Sequence, residues 1–152
     1  MASDVRPIPP GYRTITPFLR VRGAAKALEF YATAFGAEIL TKMETPDGGV
    51  MHAELKFGDS IVMLGEEMAG YPGPQMLGGA SGGLLIYCAD VDALFNRAVA
   101  AGATAKSAPD NQFWGDRHAT LVDPFGNEWG IATHVEDVSP AELERRAAQY
   151  QP

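Results

Sequence analysis

The chain lacks a second cysteine, since Cys88 is the only one among its 152 residues. An internal disulfide is therefore excluded, and a lone thiol favours a reducing, cytoplasmic location. Cys88 lies within an apolar run from Leu84 to Ala89. We interpret it as a buried structural thiol rather than a nucleophile.

Clustered basic residues and long apolar runs are missing as well. The 12 Lys and Arg are dispersed among 19 Asp and Glu, and the formal net charge is −7. Nucleic acids are bound through clustered cations, so no nucleic-acid partner is expected. No run is long enough to cross a bilayer, and the polar, Pro-rich segment 1–10 lacks the apolar centre of a signal peptide. We predict one domain over 1–152, with no membrane association.

One order of patterns occurs twice, in a first copy at 14–65 and a second at 83–134. Each copy opens with an apolar strand, followed by a segment with apolar residues at helical spacing and a closing glycine. These strands and helices lie at 14–21 and 24–35, ending at Gly36, and at 83–88 and from Val91, ending at Gly102. Asp90 is typical of an N-cap before the second helix.

The second half of each copy predicts paired strands around a matching turn. Phe57-Gly58-Asp59 and Phe125-Gly126-Asn127 occupy the same place, and Asp123-Pro124 before the latter is interpreted as turn chemistry. The strands are predicted at 38–44, 51–57 and 60–64, and at 118–122 and 128–133. Each copy therefore reads β-α-β-β-β.

Two further segments surround the second copy. Residues 66–82 are rich in Gly, Pro and Met, show no helical or strand period, and are interpreted as a linker or flap. Residues 139–150 predict a C-terminal helix, because Ser139 and Glu142 form a capping box with Pro140 at the first helical position.

Three long words carry a family resemblance: PFLRVRGAAKALEFYATAFGAE (17–38), MHAELKFGDSIVML (51–64) and FWGDRHATLVDPFGNEWGIATHVEDVS (113–139). They resemble the vicinal oxygen chelate superfamily of glyoxalases, bleomycin resistance proteins and dioxygenases, and within it the PhnB-like group. The resemblance implies an α+β fold in which two tandem β-α-β-β-β modules form a curved, mainly antiparallel eight-stranded sheet cup, plus a C-terminal helix. It also implies a small-molecule ligand and a homodimer.

Metal-dependent members of that superfamily carry His, Gln or Glu at four strand positions. The matching positions here are Thr16, Val62 or Met63, Gly83 and Gly130, none of which offers an imidazole or carboxylate. We therefore expect no metal and no other cofactor, although a non-standard divalent metal site stays open. The small Gly83 and Gly130 are expected to leave room for substrate.

The remaining polar chemistry lies on two strands. Alternation puts His52, Glu54 and Lys56 on one face of their strand and Ala53, Leu55 and Phe57 on the other. His52 and Glu54 form either an acid–base pair or a hydrogen-bonded pair at a wet sheet surface. Asp116, His118 and Thr120 alternate in the same way, and Asp116 and His118 are the second candidate pair. His134 is interpreted as a surface or interface residue.

The candidate ligand pocket is mostly apolar, with Trp114 stacking on a flat ligand or closing the core. Arg117 either clamps an anionic ligand or makes an ordinary salt bridge. The pocket candidates are Thr16, Phe18, Leu85, Tyr87, Trp114, Arg117 and Gly130.

Three functions fit these residues, and whether the chain is an enzyme stays open. The first is metal-free binding of a small organic molecule, of the sequestration or resistance type. The second is a metal-independent isomerase or lyase that uses His52/Glu54 or Asp116/His118. The third and weakest is a divalent-metal-dependent lyase or dioxygenase-type enzyme that binds metal through His52, Glu54 and His118.

Overall fold

The structure, a computed structural model, describes residues 5–150. Residues 1–4 and 151–152 of the predicted 1–152 domain lie outside this range. The first four belong to the segment 1–10, which was predicted to contain no signal peptide. The described elements are β1 Phe18–Val21, α1 Ala24–Phe35, β2 Glu38–Glu44, β3 Val50–Phe57, β4 Ser60–Glu66, α2 Pro74–Leu77, β5 Gly83–Tyr87, α3 Val91–Ala101, β6 Thr104–Asn111, β7 Asp116–Val122, β8 Glu128–His134 and α4 Pro140–Ala147.

The chain divides into two compact units between Gly79 and Ala80. Each unit contains a four-stranded sheet, in the orders β1-β4-β3-β2 and β5-β8-β7-β6. The first strand of each module pairs in parallel with the last, and the other neighbours are antiparallel. The predicted α+β class, the duplicated β-α-β-β-β order and the eight mainly antiparallel strands are therefore confirmed.

One face of the first sheet is covered by α1, as the strand alternation predicts. Ala53 and Leu55 of β3 and Leu64 of β4 are fully buried there, together with Tyr31 of α1. Gly36 ends the helix with φ 69°, and its backbone N–H bonds the carbonyls of the last turn. Glu66, the last residue of β4, caps the N-terminus of α1, because its carboxylate accepts from the amides of residues 23 and 24 at 2.7 and 2.8 Å. An anion at a helix N-terminus satisfies these amides and interacts favourably with the positive end of the helix dipole.

The second unit buries a matching face under α3. Leu121, Trp129 and Ile131 fill its core at 1% exposure or less. Asp90 is confirmed as the N-cap, since its side chain accepts from the Ala93 amide at 2.9 Å. Thr133 adds a second bond at this end, its hydroxyl accepting from the Val91 amide. Each module thus closes its helix N-terminus from the end of its own last strand.

Several boundaries differ from the prediction, and two of the differences have local reasons. Strand β1 begins at Phe18 instead of 14, because Pro17 has no N–H to donate to a ladder. The segment 66–82 contains the one-turn helix α2, which was not predicted because the sequence shows no helical periodicity there. Pro74 starts this helix and Gly78, at φ 78°, ends it. The helix predicted at 139–150 is observed at Pro140–Ala147.

The C-terminal capping box is only half formed. The Ser139 hydroxyl accepts from the Glu142 amide at 3.3 Å, as predicted. The Glu142 carboxylate instead binds Arg145 and Arg146, which hold its pKa at about 2. Within residues 5–150, no helix is long and apolar enough to cross a membrane.

Candidate functional site

Each sheet has a second face that its own module helix does not cover. In the first unit this open face carries Phe18 and Arg20 of β1, His52 and Glu54 of β3, and Met63 and Gly65 of β4. In the second unit it carries Leu85, Tyr87, Asp116, His118, Thr120, Gly130 and His134. Most of the residues predicted from the sequence as functional lie on these two open faces.

His52 and Glu54 are neighbours on the first open face, as the alternation predicts. The His52 Nε2 atom lies 3.7 Å from Glu54 Oε1, and both side chains are about three-quarters buried. The Phe18 ring packs on His52 with centroids 5.6 Å apart. The Tyr12 hydroxyl donates to Glu54, and burial together with this carboxylate raises the pKa of Tyr12 to about 12. Tyr12 was missed because nothing in the irregular N-terminal segment indicates that it returns to the sheet.

Asp116 is the polar centre of the second open face and is 4% exposed. Its carboxylate accepts from the Tyr87 hydroxyl at 2.8 Å and from Trp114 Nε1 at 3.1 Å, and it lies 2.8 Å from His134 Nδ1. Burial acts to raise the pKa of Asp116, but the hydrogen bonds from His134, Tyr87 and Trp114 together lower it below its usual value. Asp116 is therefore an ionised acceptor held by three donors.

His134 belongs to this cluster, although the sequence indicated only a surface position. The β7–β8 register pairs Val122 with Glu128, and six steps along each strand bring Asp116 opposite His134. That register follows from the turn at 123–127, so the signal was present in the sequence. The other ring nitrogen of His134, Nε2, lies 2.9 Å from Asp137. Hydrogen bonds to Asp137 and Asp116 raise the pKa of His134 above 6.5.

We expect NMR titration of the His134 ring to give a pKa above 6.5, and Asp137→Asn to lower it, because Asp137 contributes most to the shift. A raised pKa means that the folded state binds the proton more tightly. This contribution to stability is complete below the ordinary pKa and is lost as pH rises through the raised value. Asp59→Asn is the control, since Asp59 does not act on His134. Equal pKa values in all three proteins would contradict the assignment.

His118 lies beside the position where the sequence predicted free space. A Cβ on Gly130 would come within 2.8 Å of Leu85 Cδ1 and 3.1 Å of His118 Nε2. A Cβ on Gly83 would meet the carbonyl oxygen of Glu128 at 2.7 Å. The expectation that these two glycines leave room for substrate is therefore wrong, because neighbouring atoms already fill both places.

The two modules place their histidines at equivalent points. Phe18 pairs with Met63 as Leu85 pairs with Gly130, so Met63, not the buried Val62, is the counterpart of Gly130. His52 and His118 each precede a fully buried alanine, Ala53 and Ala119. These alanines pair with Leu64 and Ile131, which follow Met63 and Gly130 in the last strand of each module. Sequence reasoning found both histidines but not this correspondence, which depends on strand register.

A divalent metal does not fit the four family positions. Thr16 uses its hydroxyl on the Arg13 carbonyl at 3.4 Å, Met63 offers only a thioether, and Gly83 and Gly130 offer no side chain. Hard divalent ions require oxygen or imidazole ligands. Across residues 5–150, no three His, Cys, Asp or Glu side chains come together in a way that could hold a metal ion.

Arg117 lies on the opposite face from Asp116 and His118. Its guanidinium binds both carboxylate oxygens of Asp92, at 2.6 and 2.7 Å, at the first turn of α3. This pairing lowers the pKa of Asp92 and corresponds to the salt-bridge interpretation. Trp114 is 38% exposed at the edge of the open face. Its ring stands edge-on to His118, with centroids 6.1 Å apart.

Comparison with known proteins gives a consistent likeness. The profile of the Glyoxalase/Bleomycin resistance protein/Dioxygenase superfamily matches residues 14–131. An uncharacterised protein of Mycobacterium bovis is 37% identical over 149 residues, which covers 95% of this chain and 94% of that protein. An uncharacterised protein of Mycobacterium tuberculosis is also 37% identical over 149 residues, which covers 95% of this chain and 84% of its own length.

Solved structures show the same likeness in three dimensions. TioX from Micromonospora sp. ML1 is 25% identical with a TM-score of 0.65, covering 81% of this chain and 99% of TioX. A glyoxalase/bleomycin resistance protein/dioxygenase family enzyme from Burkholderia phytofirmans is 25% identical with a TM-score of 0.62, covering 78% and 95%. A PhnB protein from Bacillus cereus shares the fold at 20% identity and a TM-score of 0.64, covering 80% and 99%.

Proposed function

We propose that this chain, which belongs to the Glyoxalase/Bleomycin resistance protein/Dioxygenase superfamily, binds a small organic molecule without a metal ion. Its membership in this superfamily and the presence of a PhnB protein among its structural neighbours confirm the resemblance predicted from the sequence. The proposed role is sequestration of an aromatic or amphiphilic compound. The predicted sheet cup, homodimer and cytoplasmic location stay predictions.

The open face of the second sheet carries this proposal. Leu85, Tyr87 and Trp114 are 49%, 60% and 38% exposed on or beside it, next to the buried carboxylate of Asp116. Exposed apolar and aromatic side chains that surround a few fixed polar groups are typical of a surface that binds a ligand or partner. Tyr87 and Trp114 are held by Asp116, so the surface is ordered before any ligand arrives.

The proposal predicts saturable binding of a neutral aromatic probe, N-phenyl-1-naphthylamine, measured by its fluorescence. Leu85→Ala should weaken this binding about tenfold, because burial of a large apolar side chain contributes about 1.5–3 kcal/mol. Leu143→Ala is the matched control, since Leu143 is exposed on α4. Absence of saturable binding, or an equal effect of both substitutions, would overturn the proposal.

The same assay tests the metal-free part of the proposal. Dialysis against EDTA should leave the dissociation constant unchanged, because Met63, Gly83 and Gly130 supply no ligand suited to a divalent ion. A loss of binding that zinc, manganese or nickel restores would contradict metal-free binding while leaving the binding function intact.

A second candidate, a metal-independent isomerase or lyase, is favoured by the 3.7 Å contact of His52 with Glu54. Asp116 is the weaker base, because Tyr87, Trp114 and His134 already occupy its oxygens. If this activity exists, the protein should catalyse hydrogen–deuterium exchange at an acidic carbon of a bound compound. His52→Gln should slow that exchange at least 10²-fold, as expected for loss of a general base. Absence of exchange in D2O would exclude this activity and leave small-molecule binding as the proposed function.

A further inference from the structure

The first open face contains a cation without an acidic partner. Arg20 makes no ion pair and no hydrogen bond through its guanidinium within residues 5–150. Arg22, two residues further along the chain, is paired with Glu67, and the first-strand position equivalent to Arg20 in the second module is Tyr87. Acidic side chains outnumber basic ones in this chain, whose net charge is −7, and Arg20 nevertheless pairs with none of those in the described part of the chain.

Two aromatic rings fix the position of this guanidinium. The Arg20 Cζ atom lies 4.2 Å from the centroid of the Phe18 ring and 4.8 Å from that of the Tyr71 ring, over both. Stacking uses the flat face of a guanidinium and leaves the N–H groups in its plane able to donate. Tyr71 reaches the strand from the segment between the modules, where the bridge of Met68 with Tyr71 shapes the chain.

Gly65 makes space for the arginine head. A Cβ on Gly65 would lie 2.7 Å from Arg20 Nη1, so the guanidinium lies across the position where other residues carry a side chain. Strand β4, which carries Gly65, separates β1 from β3 in the sheet. The head of Arg20 is therefore directed over β4, on the face that carries His52, and Phe18 contacts both residues.

We propose that Arg20, oriented by Phe18 and Tyr71 over Gly65, binds the anionic oxygen group of an aromatic or amphiphilic organic acid. A carboxylate, sulfonate or phosphoryl group has the acceptor geometry that the in-plane donors of arginine match. Phe18, which is 42% exposed, offers an apolar surface for the carbon part of the same ligand, and His52 also contacts that ring. This inference goes beyond the proposed function, because it places a separate anion site on the open face of the first sheet.

Two probes with one scaffold separate the anion site from general binding. 8-Anilino-1-naphthalenesulfonate carries the anionic group, and N-phenyl-1-naphthylamine lacks it. Arg20→Gln should weaken binding of the sulfonate about tenfold and leave the neutral probe within twofold. Arg20→Lys should recover only part of the loss, because an ammonium keeps the charge without the planar fork. Lys26→Gln removes a positive charge from the exposed side of α1 and should leave both probes unchanged.

The outcomes distinguish the two proposals. Equal sulfonate affinity in Arg20→Gln and Lys26→Gln overturns the anion site, while saturable binding of the neutral probe still supports the proposed function. If neither probe binds, the proposed function fails. Titration with benzoate, followed at the Arg20 Nε–H signal by NMR, then tests the anion site alone. A saturable shift there supports it and no shift overturns it.

Discussion

Replacing Asp123 by alanine is expected to lower the free energy of unfolding by about 3 kcal/mol or more. Asp123 is 4% exposed, and its carboxylate accepts from the amides of Phe125 and Asn127 and from Trp129 Nε1, each at 2.9 Å. Alanine removes this acceptor from three donors in a region closed to water. Urea unfolding of the wild type and the variant measures the difference.

A double-mutant cycle makes the Asp123 prediction specific. In Asp123→Asn one oxygen still serves the two amides, but the amide nitrogen then faces the Trp129 Nε1 donor. Trp129→Phe removes that donor, so the cost of Asp123→Asn should be clearly smaller in the Trp129→Phe background. Equal costs in both backgrounds would show that the contact with Trp129 contributes little.

Gly115→Ala is expected to cost about 3 kcal/mol as well, because it combines a strained backbone with an overlap. Gly115 has φ 101°, and a Cβ there would lie 2.1 Å from the carbonyl oxygen of Glu136. The Gly115 carbonyl also accepts from the amides of Val135 and Glu136. The substitution therefore pushes away the segment that follows His134, and the raised pKa of His134 should fall toward 6.5.

Gly58→Ala is the matched control for Gly115→Ala. Gly58 also has a positive φ, 57°, but a Cβ there would meet nothing within 4 Å. Its cost should be about 1–2 kcal/mol, which is the conformational penalty alone. If urea unfolding gives the same loss of free energy of unfolding for both substitutions, the overlap with Glu136 does not contribute to stability and the prediction is wrong. If His134 keeps its raised pKa in Gly115→Ala, the segment does not move.

Much of the candidate site could be predicted from strand alternation. A strand that buries Ala53 and Leu55 under a helix must turn His52 and Glu54 to the other side, and the structure has both on the open face. The hairpin at 123–127 fixed the pairing of Asp116 with His134 in the same local way, although this consequence was not drawn. Local periodicity and turn chemistry suffice where the neighbours are near in sequence.

Contacts between distant segments could not be predicted. Tyr12 reaches Glu54, Tyr71 reaches Arg20, and Arg117 pairs with Asp92 on the helix-covered face. Each contact joins an irregular segment or a helix end to a strand, and no period in the sequence specifies how such a segment packs. The space at Gly130 was misjudged for the same reason, since Leu85 and His118 come from other strands.

The sequence by itself determined the duplicated β-α-β-β-β order, the family, the helix caps at Asp90, Gly36 and Gly102, and the lack of metal ligands at the four family positions. These properties depend on residue type and on spacing along the chain. Only the tertiary structure decided that Asp116 gathers three donors and that Arg20 lies unpaired over Gly65. The physical reason is that spacing sets which face of its own strand a side chain takes, whereas strand pairing and loop packing decide which side chains of different segments meet there.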